Sequence, residues 1–294
     1  MEGMSLSQQT SKPRVLYITS RGHSGSTLLS LLVSGHSQVV SAGELKMLTN
    51  PDPQRRLCSC HRRVPSECPF WGEVEQRVME ELGCSLDQLL LGDGGDDVRF
   101  LRHNEVLFSA IAQVSGSSLI VDSSKSLPRL SRLLTVQKQG SAFVLHPVHL
   151  HRGPFGSMNS ARKRGENIRK ASYNYTRLFF LTRQRLLDVD ALRVYYEQLA
   201  SNPREEMARV MSWLNLPLED DQFQWRDGVR RDIHGNDMRF DNSDQIRLDQ
   251  SWRHQLSWRQ KLGVMIWTFP VRLRSRWLFR LFRFWIEPGV KPFP

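Results

Sequence analysis

Apolar positions fall into short runs separated by polar, glycine-rich turns. Residues 15–19, Val-Leu-Tyr-Ile-Thr, form an unbroken apolar run of strand length, the pattern of a strand covered on both faces. The run opens into Ser20-Arg21-Gly22-His23-Ser24-Gly25-Ser26-Thr27. Leu28, Leu29, Leu31, Leu32 and Val33 then recur with the spacing of one helical face. Residues 118–122 predict a second buried strand, ending in Ser123-Ser124-Lys125. Residues 142–151 predict a third, interrupted by Pro147, and residues 191–199 a fourth that leads into a helix over 203–214. Helical periodicity covers 74–82, 100–113, 157–164 and 168–187. Strands alternating with helices predict an α/β fold, a parallel sheet flanked by helices. Such sheets bind ligands beyond the carboxyl ends of their strands, where these polar turns lie.

Residues 1–13 read as a disordered polar lead, 14–258 as the α/β domain and 259–294 as a tail. Residues 51–97 differ from the rest: they hold all four cysteines with several prolines and glycines, and read as an insertion or cap over the core. With 294 residues, 39% of them hydrophobic, the chain can bury a sizeable core, which excludes disordered, collagen-like and disulfide-scaffold classes. No apolar window reaches the roughly 18 residues of a membrane span. The first residues lack an apolar signal segment, so a cytoplasmic location is expected.

The net charge of +11 points to an anionic partner. Eight of the Lys and Arg lie between Arg259 and Pro294, against the single acid Glu287, and the rest is only mildly basic. That unevenness argues against a nucleic-acid binder. In the tail, Arg272, Arg276, Arg280 and Arg283 form a helical stripe among Trp, Phe and Leu. Two readings stand: a helix on an anionic membrane surface, peripheral on the inner face, or a helix packed on the domain.

The turn at 20–27 has the chemistry of an anion cradle: successive backbone N–H groups, a helix N-terminus, and the hydroxyls of Ser24, Ser26 and Thr27. Its match to a nucleotidase P-loop is weakened by the absence of that motif's lysine. Aligning G-x-x-x-x-G-K-[ST] on Gly25 puts Ser20 at the first glycine and Ser26 at the lysine.

Five segments in order resemble the sulfotransferases that use 3′-phosphoadenosine 5′-phosphosulfate (PAPS). The loop RGHSGSTLL is similar to their 5′-phosphosulfate loop. HRGPFGSMNS is similar to their strand-end Arg with a Ser eight residues on, here Arg152 and Ser160, although Gly153 and Phe155 replace the charged residues between. VYYEQLASNP places Tyr196 at the family's adenine-contacting tyrosine. Residues 233–240, IHGNDMRF, resemble a late segment in which Gly235, Asn236 and Arg239 close over the 3′-phosphate. VDSSK brings Lys125 to a strand end near the sulfuryl group. The likeness spans roughly residues 14–256 and is nearest to bacterial and tyrosylprotein sulfotransferases.

The resemblance implies a P-loop-like sulfotransferase fold and PAPS as donor, with PAP as product and no required metal. The acceptor is a hydroxyl or amine on a small molecule, glycan, lipid-linked compound or peptide. It implies that Arg21, Gly22, His23, Ser24, Gly25, Ser26 and Thr27 hold the 5′-phosphosulfate. In tyrosylprotein sulfotransferases a Glu follows the loop's Arg by 21 residues. Here His23 occupies that loop position, which makes Glu44 the candidate general base, against the plainer reading of a helix cap or solvent-facing carboxylate. Lys125 would stabilise the leaving phosphate. His23 departs from the family's charged residue, being mostly neutral at pH 7 unless perturbed, so Arg21 is the substitute source of charge.

Rival functions are a P-loop kinase, with Asp122 as a Mg²⁺ ligand, and a non-catalytic PAPS-fold protein at a membrane. Cys58, Cys60, Cys68 and Cys84 could hold zinc, but C-x-C-x7-C is not a standard finger spacing, so free thiols are favoured over zinc or a disulfide. CPFW, residues 68–71, resembles a segment of bacterial sulfotransferases, which suggests a cap over the acceptor site. His149 and His151 share a strand face that His146 avoids; buried sheet histidines are favoured there over a metal site.

Overall fold

The computed structural model describes residues 12–224, 231–236, 240 and 245–273. Five parallel strands form one sheet in the order β2-β3-β1-β4-β5: β1 Arg14–Thr19, β2 Val39–Gly43, β3 Leu119–Lys125, β4 Val144–His151 and β5 Leu192–Tyr195. Strand β1 is central, paired with β3 on one side and β4 on the other. The chain first runs outward to β2, returns through β3, and then crosses β1 to β4. This reversal makes the carboxyl end of β1 the switch point where doubly wound sheets form a crevice.

Alternation along the strands sorts the core into two layers. Val15, Tyr17, Val40, Ala42, Ile120 and Leu145 face one cluster, with α2 (Pro69–Leu82), α3 (Asp97–Ser115) and α4 (Leu127–Lys138). Leu16, Ile18, Leu119, Val121, Val148 and Val194 face the other, with α1 (Ser26–Ser34), α7 (Tyr196–Ser201) and α8 (Pro203–Trp213). A third cluster joins α5 (Pro154–Lys163), α6 (Ile168–Arg185) and α10 (Trp258–Arg272) through Met158, Ala161, Tyr175 and Val264; the short α9 (Trp252–Gln255) precedes α10.

Three elements differ from the pattern read along the chain. The fourth predicted strand ends at Tyr195. From Tyr196 on, the buried positions Tyr196, Leu199 and Ala200 follow helical spacing, and Glu197, Gln198, Leu199 and Ala200 favour that turn. β2 is buried at every residue, so it shows no alternation, and Ser41 and Gly43 also break the apolar run that would mark a fully buried strand. Residues 51–97, read as an insertion or cap, send Phe70, Trp71, Val74 and Val78 into the main core against α3. Pro147 leaves β4 intact, placed before pairing with β5 begins at Val148.

Candidate active site

The loop after β1 curls through two left-handed residues, His23 (φ 62°) and Gly25 (φ 92°). Gly25 precedes α1. A Cβ there would lie 2.5 Å from the Tyr196 ring, so only glycine lets Tyr196 lie against the loop. The N-terminus of α1 has no side-chain cap and no acidic residue in its first turn, which leaves its N–H groups and dipole available to an anion.

The loop forms one wall of a cavity of about 540 Å³, within the usual range for sites that enclose an organic ligand. Gly22, His23, Gly25, Ser26 and Thr27 line it, and so do Glu44, Lys125, Arg152, Ser160, Tyr196, Gly235 and Asn236. Two expected residues stand elsewhere. Ser24 is buried and does not line the cavity. Arg21 turns away from it, with its guanidinium on the Glu166 carboxylate (2.9 Å) and the Ser157 carbonyl (3.2 Å). Arg239 lies outside the described residues.

Glu44 is held by backbone. Gly43 adopts φ 70°, and a Cβ on it would meet both N and O of Ile233 at 2.4 Å. Segment 232–233 therefore crosses directly over β2. Ile233 N–H donates to the Ala42 carbonyl (3.1 Å), and Glu44 N–H donates to the Ile233 carbonyl (2.8 Å). Glu44 precedes a short 3-10 turn, Leu45–Thr49, but its side chain caps nothing. Its carboxylate, mostly buried, accepts a hydrogen bond from Lys125 Nζ instead. Lys125 ends β3 with φ 61°, a left-handed conformation costly for a side chain of this kind and often found at functional sites.

A second cavity, of about 670 Å³, adjoins the first and shares Gly22, Glu44 and Lys125 with it. Arg21, Lys46, Ser124 and Ser126 line it with Asn174, Arg177, Leu178 and Leu181 of α6. None of residues 51–97 lines either cavity, so the cysteine-bearing segment does not cover this space. Helix α6, read from the sequence only as a helix, supplies the far wall.

Arg152 is the buried cation of the first cavity. Nη1 donates to the His23 carbonyl (2.9 Å), Nη2 to Asp249 Oδ2 (2.8 Å), and the guanidinium lies 4.5 Å from the Tyr196 ring centre. Its Nε is buried with no hydrogen-bond partner among the described residues. Burial alone would raise the Asp249 carboxyl, yet hydrogen bonds from Ser251 and the Arg152 guanidinium hold it down to about 2. Burial first, then the cations Arg164, Lys125, Arg152 and Arg21, push His23 below its ordinary value. His23 is therefore neutral near pH 7, and positive charge in this cavity comes from Lys125, Arg152 and Arg247.

Arg247, Asp249 and Ile246 escaped the sequence reading although they line the cavity. A faint signal was present: apolar Ile246 and Leu248 alternate with Arg247 and Asp249, and the apolar pair packs on the core.

The cysteines divide. Cys58, Cys60 and Cys68 bring their sulfurs within 4.8 Å of one another, whereas Cys84 is not in that group. No other cluster of His, Cys, Asp or Glu among the described residues is close enough to share a metal. His149 and His151 stack edge to face in the sheet at 5.9 Å, and burial lowers them to about 3 and about 4. His146 points away, against Trp213.

No family model matches the chain, and no curated protein matches it. Solved structures do. The sulfotransferase domain of the Synechococcus PCC 7002 olefin synthase aligns with TM-score 0.54 and 19% identity over 90% of this chain and 96% of its own. The sulfotransferase domain from the curacin biosynthetic pathway aligns with TM-score 0.55 and 18% identity over 91% and 99%. A mouse sulfotransferase complexed with PAP aligns with TM-score 0.51 and 10% identity over 95% and 90%. At these identities the likeness establishes the fold: the chain has the P-loop-like α/β fold of sulfotransferases.

Proposed function

We propose that the protein is a sulfotransferase that moves a sulfuryl group from PAPS to a hydroxyl or amine acceptor. The observation that carries this reading is the pair of adjoining cavities with Glu44 and Lys125 on their common wall. A donor on one side and an acceptor on the other would meet at an acid–base pair beside an open helix N-terminus.

The residues present fit the donor. Arg152, whose buried Nε has no hydrogen-bond partner among the described residues, and Ser160 suit the 3′-phosphate, and the loop with α1 suits the 5′-phosphosulfate. Tyr196 offers an aromatic face for the adenine. PAPS supplies the sulfuryl group. Glu44 accepts the proton of the acceptor, and Lys125 donates a hydrogen bond where negative charge builds on the leaving phosphate oxygen. The chain's main contribution is to position and neutralise, as in phosphoryl transfer, and no metal is assigned to that step. Lys46 and Arg177 beside Leu178 and Leu181 suit an acceptor with both a polar or anionic end and an apolar part.

Two observations weigh against a P-loop kinase. The loop lacks its lysine. Asp122, the candidate Mg²⁺ ligand, is fully buried: one carboxylate oxygen takes the Ser124 N–H (2.9 Å), the other the Arg129 guanidinium (3.2 and 3.3 Å).

The tail supports a finer reading, peripheral attachment to an anionic membrane. No helix among the described residues is long and apolar enough to cross one. Helix α10 packs on α6 through Val264 and Thr268. Its opposite side exposes Leu262, Met265, Ile266, Phe269 and Leu273 at helical spacing, with Trp258 at the start. Arg276, Arg280 and Arg283 lie outside the described residues.

Calorimetric titration with PAP, in parallel with ATP·Mg²⁺, tests the donor. Micromolar PAP binding that Arg152→Ala abolishes, with weak ATP binding, is the expected result. Tight Mg²⁺-dependent ATP binding with no preference for PAP overturns the reading. Non-catalytic PAPS binding is separated by turnover: bound PAP without sulfation across a broad acceptor panel favours it.

A further inference from the structure

The three gathered cysteines play no part in the proposed sulfuryl transfer. They come from a tight turn and a helix start. Cys58 and Cys60 sit in a turn closed by His61 N–H on the Cys58 carbonyl (2.9 Å), where His61 is left-handed (φ 63°). Cys68 is the residue before α2. Cys58 and Cys68 are buried, while Cys60 is half-buried and borders solvent.

Their geometry suits a metal better than a disulfide. Cys60 and Cys68 sulfurs are 3.5 Å apart. A disulfide requires about 2.05 Å. Two thiolates on one tetrahedral zinc, each at about 2.3 Å, stand about 3.8 Å apart. The positive end of α2 lies beside Cys68 and offsets the single negative charge of three thiolates on a divalent ion.

We infer that Cys58, Cys60 and Cys68 form a structural site for a thiophilic divalent metal, zinc, with solvent in the fourth position beside Cys60. Binding displaces the three thiol protons and forms three Zn–S bonds; no oxidant or reductant takes part. The site clips the 58–61 turn to the start of α2. It also reaches the neighbourhood of Glu44, because Cys58 pairs with Ile233, whose carbonyl holds the Glu44 N–H. The inference does not depend on the sulfotransferase reading.

The full chain, prepared with zinc and dialysed against a mild chelator, is assayed for metal by plasma mass spectrometry. Close to one zinc per chain is expected, released stoichiometrically when a mercurial titrates the thiols. Cobalt exchanged into the same protein should show the intense near-ultraviolet thiolate charge-transfer band. Cys60→Ser and Cys68→Ser should lose most of the metal, and Cys84→Ser should keep it. Folded wild-type protein that takes up less than a tenth of an equivalent after zinc reconstitution overturns the site. So does a Cys60–Cys68 disulfide in freshly purified protein, or full metal retention in the Cys60→Ser/Cys68→Ser double variant. The wild-type measurements decide the matter even if the variants fail to fold.

Discussion

Asp249 occupies the guanidinium that the proposed 3′-phosphate would claim, so replacing it should tighten donor binding. The Arg152–Asp249 pair closes at 2.8 Å. A phosphate on the same guanidinium would stand about 6 Å from that carboxylate, and two unit charges so placed repel by about 3 kcal/mol at an effective dielectric of about 20. The Asp249 side chain is 38% exposed, so solvent must be allowed for. Screening leaves about 1 kcal/mol, or about fivefold in affinity. Asp249→Asn keeps an oxygen for the Ser251 N–H and removes the charge. Titration at fixed ionic strength should show PAP binding about fivefold tighter in the variant, with 5′-AMP, which lacks the 3′-phosphate, unchanged. Because Asp249 is held down to about 2, its charge is constant between about pH 5 and pH 8, and the difference should widen only as the 3′-phosphate takes its second charge near pH 6. Unchanged or weaker PAP binding in a folded variant refutes the argument, as does an equal shift for both nucleotides.

Glu44→Gln should lower turnover about 10²–10⁴-fold, the usual worth of a general base, while PAP affinity in calorimetry stays within about threefold. His149 is buried neutral, its value lowered from 6.5 to about 3. Its stabilising contribution is thus complete above about pH 6.5 and is lost as pH falls toward 3, because only the unfolded chain takes up the proton there. His149→Leu should flatten the urea-midpoint profile between about pH 6.5 and pH 4, and an unchanged slope would count against a buried neutral ring. Wild-type protein should co-sediment with anionic vesicles and not with neutral ones. Ser at Leu262, Ile266 and Phe269 together should reduce that binding at least tenfold, and equal binding by both proteins would remove the membrane reading.

Local pattern alone placed β1, the anion loop, α1, and the carboxyl ends of β3 and β4, because burial on both faces and helical spacing are written in neighbouring residues. Motif spacing brought Glu44, Lys125, Arg152, Ser160 and Tyr196 into consideration, and all five line one cavity. Other features had no local signature. β2 is buried at every residue, but Ser41 and Gly43 break the apolar run that made β1 legible. The direction of Arg21 was decided by Glu166, 145 residues away. Gly43 and Gly25 look like ordinary turn glycines until Ile233 and Tyr196 are seen to press against them. The second cavity needs α6 to return beside the ends of β2 and β3, and the cysteine trio needs the 58–61 turn to meet the start of α2. Spacing along a chain encodes which face of an element is covered. Which distant element covers it, and so which charges and sulfurs meet, is settled only when the sheet order brings the strand ends together.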